Sequence, residues 1–438
     1  MLRRESQLTS WARYPVVSHA QVLDVVGRQA SLPDSKFSLL AFGNGRSYGD
    51  VCLNEDGALL RTRRMDRFIT FDRLAGRLTC ESGVLLKDIL DLIVPQGWYL
   101  PVTPGTRFIT VGGAIANDVH GKSHHVQGSF GHHVLRLELL RSDGERKSCS
   151  QTEHPDWFSA TLGGLGLTGL ITWVELRLIP IANPFMLTES IRFKSLDEFW
   201  VLNAAAMARW THTVAWVDCA AAGKSRGRGI FMQGCHAPVL DLLPAWSEHV
   251  KRFPFDPPMS LVNGLSLRAF NIAYYHRPIG RGVHLSHHVP FFYPLDIILE
   301  WNKIYGRQGF FQYQCVLPPE ASRQGIDELL RLIAKSGMGS FLAVLKTFGD
   351  QPSRGLLSFP RRGTTFALDF PNQGKLTLRL FQELDAVVRE AGGALYPAKD
   401  ARMPGELFRS GFPQWEQFSK FIDPKFSSSF WRRVTGKI

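Results

Sequence analysis

Apolar and polar residues follow two textures along this chain. In the first third, short apolar runs are cut by glycine and proline too often for long helices. Residues 38–42 read as a buried strand running into Gly43-Asn44-Gly45-Arg46-Ser47-Tyr48-Gly49-Asp50. Residues 67–71 and 77–80 predict two further strands. Between 84 and 94, Leu85, Leu86, Ile89, Leu90 and Ile93 recur at helical spacing, and Pro95 marks the helix end. Residues 134–140, followed by Ser142-Asp143-Gly144-Glu145, predict a hairpin. Residues 171–178 form an alternating strand after the glycine-rich stretch 163–169.

The texture changes between Pro180 and Pro184, where we expect a domain boundary. Longer helical patterns and aromatic-rich strands follow, such as residues 310–317 and 365–370. A length of 438 residues also exceeds what one core usually serves. With 44% hydrophobic and 21% charged residues, the composition is that of a folded soluble protein. The six cysteines stand far apart with no CxxC pair, against a zinc knuckle or disulfide framework and in keeping with a reducing compartment.

A net charge of +12 raises the question of a polyanionic partner. The basic residues are dispersed: the densest cluster is Lys224, Arg226 and Arg228, and the N-terminus adds Arg3 and Arg4. No recognised nucleic-acid motif accompanies them, so nucleic acid is not expected as a partner. The first residues lack the apolar region of a secretory signal. No apolar run approaches the roughly 18 residues of a membrane span. The expected location is cytoplasmic, with peripheral contact to the inner membrane left open by the positive charge.

The candidate chemistry lies in the glycine clusters. Gly43 to Gly49 suits an anion cradle, since glycines admit positive φ and let backbone N–H groups approach phosphate oxygens. It is neither a Walker loop nor a GxGxxG fingerprint. A second cluster runs from Thr110 through Val111, Gly112 and Gly113 to Asn117, Asp118, His120 and Gly121. Two such loops, with 163–169 as a third, can converge on one extended cofactor.

An ordered series of motifs then spans nearly the whole chain. It includes Gly45-Arg46-Ser47-Tyr48-Gly49-Asp50, Pro104-Gly105-Thr106, Val111-Gly112-Gly113-Ala114-Ile115-Ala116 and His120-Gly121-Lys122. It continues with Gln312-Tyr313-Gln314, Lys346-x-Phe348-Gly349, Asp369-Phe370-Pro371 and Tyr396-x-Ala398-Lys399-Asp400. The series resembles the PCMH-type FAD-binding (vanillyl-alcohol oxidase) superfamily, and within it the decaprenylphosphoryl-β-D-ribose 2-oxidases.

The resemblance implies an α+β fold of two domains. Residues 1–183 would bind FAD, 184–393 would form an antiparallel-sheet substrate domain, and 394–438 would complete the FAD domain. The implied FAD contacts are Ala41, Gly43, Asn44, Gly45, Arg46, Ser47, Tyr48, Gly49, Asp50, Gly105, Thr110, Val111, Gly112, Gly113, Asn117, Asp118, His120, Gly121, Ile171 and Tyr396. Many sugar-oxidising relatives bond a histidine to the flavin where Arg46 stands. A guanidinium offers no comparable nucleophile, so FAD is expected to be non-covalent.

Lys399 is the first choice for a catalytic residue, with Tyr48 and His120 beside it. Lys346, Gln312, Gln314 and Thr365 join Lys399 as expected substrate contacts. His124, His125, His132 and His133 lack a carboxylate or thiolate complement, and no metal is expected.

The implied reaction is oxidation at C2 of a polyprenylphosphoryl ribose, with hydride passing to the flavin. An NAD(P)H-dependent short-chain reductase would complete the epimerisation, and a quinone or oxygen would reoxidise the flavin. The alternative is an aldonolactone or alditol oxidase acting on free sugars. Ala367 and Thr365 depart from the family pattern, which carries cysteine and asparagine there.

Overall fold

The computed structural model describes residues 8–436, so Arg3 and Arg4 lie outside the described residues. Two sheet systems face each other in an α+β architecture. The first comprises a parallel three-stranded sheet (Gln21–Asp24, Ala58–Arg61, Leu39–Phe42) and an antiparallel five-stranded sheet. The latter runs Phe68–Asp72, Arg77–Glu81, Leu170–Arg177, Val134–Leu140, Arg146–Ser150. Helix Leu86–Ile93 packs below, burying Leu86, Ile89, Leu90 and Ile93 as the helical spacing requires.

The second system is an eight-stranded sheet in the order His284–His287, Phe185–Phe193, Gly229–His236, His212–Val217, Ala343–Phe348, Gly363–Pro371, Phe310–Leu317, Ala394–Leu395. Every pairing in it is antiparallel. Helices Pro319–Ser336 and Lys375–Glu390 cover one face with buried stripes that include Leu329, Ile333, Leu380 and Leu384. Its other face is turned toward the glycine loops.

The chain then leaves this sheet and returns to the N-terminal one. Leu39 N–H donates to the Lys425 carbonyl at 2.6 Å. Arg433, on helix Ser429–Thr435, grips Asp50 with two 2.8 Å hydrogen bonds. Two residues of the basic cluster seen in sequence form ion pairs, Arg226 with Asp327 and Arg228 with Asp218.

Candidate active site

A cavity of about 580 Å³ opens between the glycine loops and the uncovered face of the large sheet. That is the size of a cofactor and substrate pocket.

One wall is mostly backbone. Strand Leu39–Phe42 ends at Gly43, and the loop turns at Gly45 with φ of +59°. A Cβ on Gly43 would stand 2.5 Å from Thr110 Oγ1, and one on Gly121 2.5 Å from the Thr103 carbonyl oxygen. Such approaches admit only glycine. The N–H groups of residues 44–47 meet no backbone acceptor among the described residues. Thr110 caps the short helix Val111–Ala116, its Oγ1 accepting from Gly113 N–H at 3.1 Å. Thr103 Oγ1 and Asn117 Oδ1 are buried without partners. Free donors, orphaned acceptors and side-chain-free walls fit a pyrophosphate joined to a flat ring system. FAD has that chemistry.

Arg46 lies over Trp11, its guanidinium carbon 4.2 Å from the ring centroid, and donates to the Asn44 carbonyl at 3.4 Å. Burial lowers its pKa, yet a guanidinium keeps its proton.

The other wall is side chains on alternate strand positions. Gln312 and Gln314, Val344 and Lys346, and Thr365, Ala367 and Asp369 all line the cavity. The register sets Gln312 opposite Asp369, Gln314 opposite Ala367 and Lys346 opposite Thr365.

His120 bridges the walls. Its Nδ1 is 2.8 Å from Lys346 Nζ and its Nε2 is 3.0 Å from the Gln314 amide nitrogen. Lys346 also donates to the Gly121 carbonyl at 3.1 Å. Burial, then the Lys346 charge, hold the imidazole well below its ordinary range, and burial lowers Lys346 to about 7. Both ring nitrogens of His120 thus lie within hydrogen-bond distance of a side-chain nitrogen of the large sheet.

Lys399 ends the turn Pro397–Lys399, and its Nζ sits 3.7 Å from the centroid of Tyr48. Burial lowers its proton affinity while the Asp369 carboxylate works the other way. Asp369 is fully buried; Oδ1 accepts from Gln312 Nε2 at 2.5 Å, and Oδ2 has no partner. Burial pushes its pKa up.

Of the expected cofactor residues, Gly49, Asp50, Val111 and Asp118 do not line the cavity. They stand behind its wall. A Cβ on Gly49 would meet the Asp400 carbonyl oxygen at 1.7 Å, Val111 is core, and Asp50 holds Arg433. Asp118 accepts from Gly131 N–H at 2.8 Å and from the Ser358 hydroxyl at 2.5 Å. The remaining expected contacts, from Ala41 to Ile171 and Tyr396, do line it, and the Tyr396 hydroxyl donates to the Asn117 carbonyl at 2.8 Å.

Sequence reasoning quoted Asp369 in a motif without giving it a role. Its place two residues beyond Ala367, on the face of Thr365, was the available signal. Lys122, which donates to the Phe292 carbonyl at 3.0 Å and lines the cavity, was also passed over. The four clustered histidines have local partners: His124 with Gly349 N–H, His125 with the Trp210 carbonyl, His132 with Ser129, His133 with the Gln127 carbonyl.

Comparison with known proteins agrees with this geometry. A family model described as an FAD binding domain matches residues 16–150. The decaprenylphosphoryl-beta-D-ribose oxidase of Mycolicibacterium smegmatis is 35% identical, covering 90% of this chain and 89% of its own. An uncharacterized protein from the mprA 5' region of Streptomyces coelicolor is 33% identical over 80% of this chain and 100% of its own. The L-gulonolactone oxidase of mouse is 31% identical over 32% of this chain and 31% of its own. The first likeness is long enough to take in both walls of the cavity, and the third is confined to about a third of the chain. This chain belongs to the decaprenylphosphoryl-β-D-ribose oxidase family of FAD-dependent oxidoreductases.

Proposed function

We propose that this enzyme oxidises C2 of a polyprenylphosphoryl-β-D-ribose to the 2-keto sugar. The observation that carries this reading is the 35% identity to the Mycolicibacterium smegmatis oxidase across 90% of the chain, substrate sheet included. The lactone oxidases share about a third of the chain, which weighs against an oxidase of free sugars.

FAD, when bound, accepts the two electrons that leave the alcohol carbon. The loop 43–47 and helix Val111–Ala116 would hold its pyrophosphate. The protein's own part is to bind and orient the ribose. Gln312, Gln314 and Thr365 offer amide and hydroxyl groups suited to its hydroxyls. Lys399 supplies a positive charge in a site poor in water, where it counts for more than in bulk solvent. Lys346, clamped by His120, adds a second donor. Residues 184–393 would form the substrate domain, with 1–183 and 394–438 serving the cofactor.

The 2-keto product calls for an NAD(P)H-dependent short-chain reductase to reset C2, and a quinone or oxygen to reoxidise the flavin. Peripheral contact with a membrane completes the reading. Among the described residues, two-thirds of the exposed large hydrophobic side chains lie between Val239 and Ile298, and the chain carries a net charge of +12. That combination suits an anionic lipid surface. Among the described residues, no helix is long and apolar enough to cross a membrane.

Anaerobic flavin bleaching tests the reading. Polyprenylphosphoryl ribose should bleach the flavin, whereas free ribose, arabinitol and aldonolactones should not. Bleaching by the free sugars alone would establish the rival activity. Acid precipitation should release all FAD to the supernatant; flavin retained on the chain would overturn the argument from Arg46.

A further inference from the structure

A ribose joined to a polyprenyl tail carries a phosphodiester between them, and a buried monoanion needs a cation of its own. The cations of the cavity floor are already committed. Lys346 is held by His120 and the Gly121 carbonyl, Lys122 by the Phe292 carbonyl, and Arg46 by Trp11 and the Asn44 carbonyl. Lys399 sits over Tyr48 at the proposed reaction centre.

Arg277 is different. It is half-buried and lines the same cavity, as do Thr188, Ser190 and His284. Its guanidinium carbon lies 4.1 Å from the centroid of Tyr274, whose ring packs 4.7 Å from that of Trp216. Its Nε is buried and has no hydrogen-bond partner. Arg13, Arg226 and Arg228 are each paired with an aspartate, whereas Arg277 makes no ion pair among the described residues.

The position is also built. Arg277 closes helix Gly264–His276. Arg192, from strand Phe185–Phe193, ties that helix end to the sheet by donating to the Tyr275 carbonyl at 2.7 Å and the Arg277 carbonyl at 2.9 Å. Beyond Arg277 the same helix exposes Leu265, Phe270 and Ile272. The cavity therefore offers polar groups suited to a sugar and a guanidinium without an ion pair, at the end of a helix that also exposes Arg268 and three apolar side chains. A glycosyl phosphodiester with an isoprenoid tail has parts to match.

We infer that Arg277 binds the substrate's phosphodiester in this cavity and so selects lipid-phosphate-linked sugars, with the tail leaving along helix Gly264–His276. The inference rests on the proposed reading and names the residue that gives it specificity. A guanidinium fits phosphate through paired N–H donors, and its stack on Tyr274 fixes its plane beforehand.

The test compares wild type, Arg277→Ala and Arg277→Lys, each with its FAD content verified. The substrates are farnesylphosphoryl-β-D-ribose and the phosphate-free farnesyl β-D-ribofuranoside, with farnesyl phosphate as a binding probe read by flavin fluorescence. Arg277→Ala should lower the kcat/KM preference for the phosphodiester over the glycoside by about 10- to 100-fold, and weaken farnesyl phosphate binding to match. Arg277→Lys should recover part of both. An unchanged preference with unchanged farnesyl phosphate binding would overturn the assignment, as would an equal loss on both substrates. Arg277-dependent binding of farnesyl phosphate without oxidation of either riboside by wild type would uphold the phosphate site while refuting the C2 reaction.

Discussion

The wall formed by residues 43–48 and 103–121 presents mostly backbone to the cavity, whereas the wall formed by the large sheet presents side chains. The first lacks Cβ atoms at its closest approaches, which leaves carbonyls and N–H groups open to the cavity. The second works by register: three neighbouring strands place Gln312, Gln314, Lys346, Thr365 and Asp369 on one face. A backbone wall suits a cofactor common to many enzymes, because it is indifferent to most side-chain change. A side-chain wall can be retuned one residue at a time, and Thr365 and Ala367 stand on it.

The contrast is broken most severely by Lys399→Ala. Flavin reduction by substrate should fall by about 10²- to 10³-fold while FAD stays bound, because the charge is lost from the side-chain wall alone. Stopped-flow reduction beside the flavin absorbance of the purified variant checks both halves. Equal loss of FAD and of reduction would show that the walls are not separable.

Asp369→Asn sharpens the same wall. The carboxylate holds the Lys399 proton on against burial. Its removal lets Lys399 deprotonate at lower pH, so the alkaline limb of the kcat profile should move down by about one unit. A profile that keeps its shape would show that Asp369 serves only to hold Gln312.

Gly121→Ala probes the backbone wall. The new Cβ would lie 2.5 Å from the Thr103 carbonyl oxygen, which must move. We expect a cost of about 1–3 kcal/mol, seen as a lower Tm and partial loss of FAD. Substrate preference of the molecules that retain FAD should be unchanged.

The smallest effect concerns the sheet's far end. His236 packs beside Tyr99 and Phe292 with both ring nitrogens buried and unpartnered, and desolvation lowers its pKa to about 4. An unfolded chain would protonate it near 6.5, so stability is lost as pH falls from about 6.5 toward 4. His236→Phe should flatten that acid slope by at most about 1.4 kcal/mol per pH unit, measured by urea unfolding across the interval.

Local structure was readable wherever neighbours in sequence are neighbours in space. The apolar spacing at Leu86, Ile89, Leu90 and Ile93 marked a helix that begins and ends within two residues of the expected bounds. Val134–Leu140 and Phe310–Leu317 coincide with the strands expected there, and the turn after Leu140 closes the expected hairpin. The turn at Gly45 was readable because freedom at positive φ is a property of glycine itself, whereas the approach of Gly43 to Thr110 is a tertiary contact. Gly49 and Asp118 belonged to the glycine loops too, but glycine and aspartate serve a folded wall as readily as a ligand.

The sequence by itself determined the backbone wall, the alternation that puts Gln312 with Gln314 and Thr365 with Asp369, and the non-nucleophilic residue at Arg46. Only the tertiary structure decided which groups share a charge environment. His120 meets Lys346 across 226 positions and Asp50 meets Arg433 across 383. Periodicity carries no information about such pairs, since burial and Coulomb interactions depend on distance through space. Those interactions set the glycine loops and polar residues scattered along the chain around one cavity.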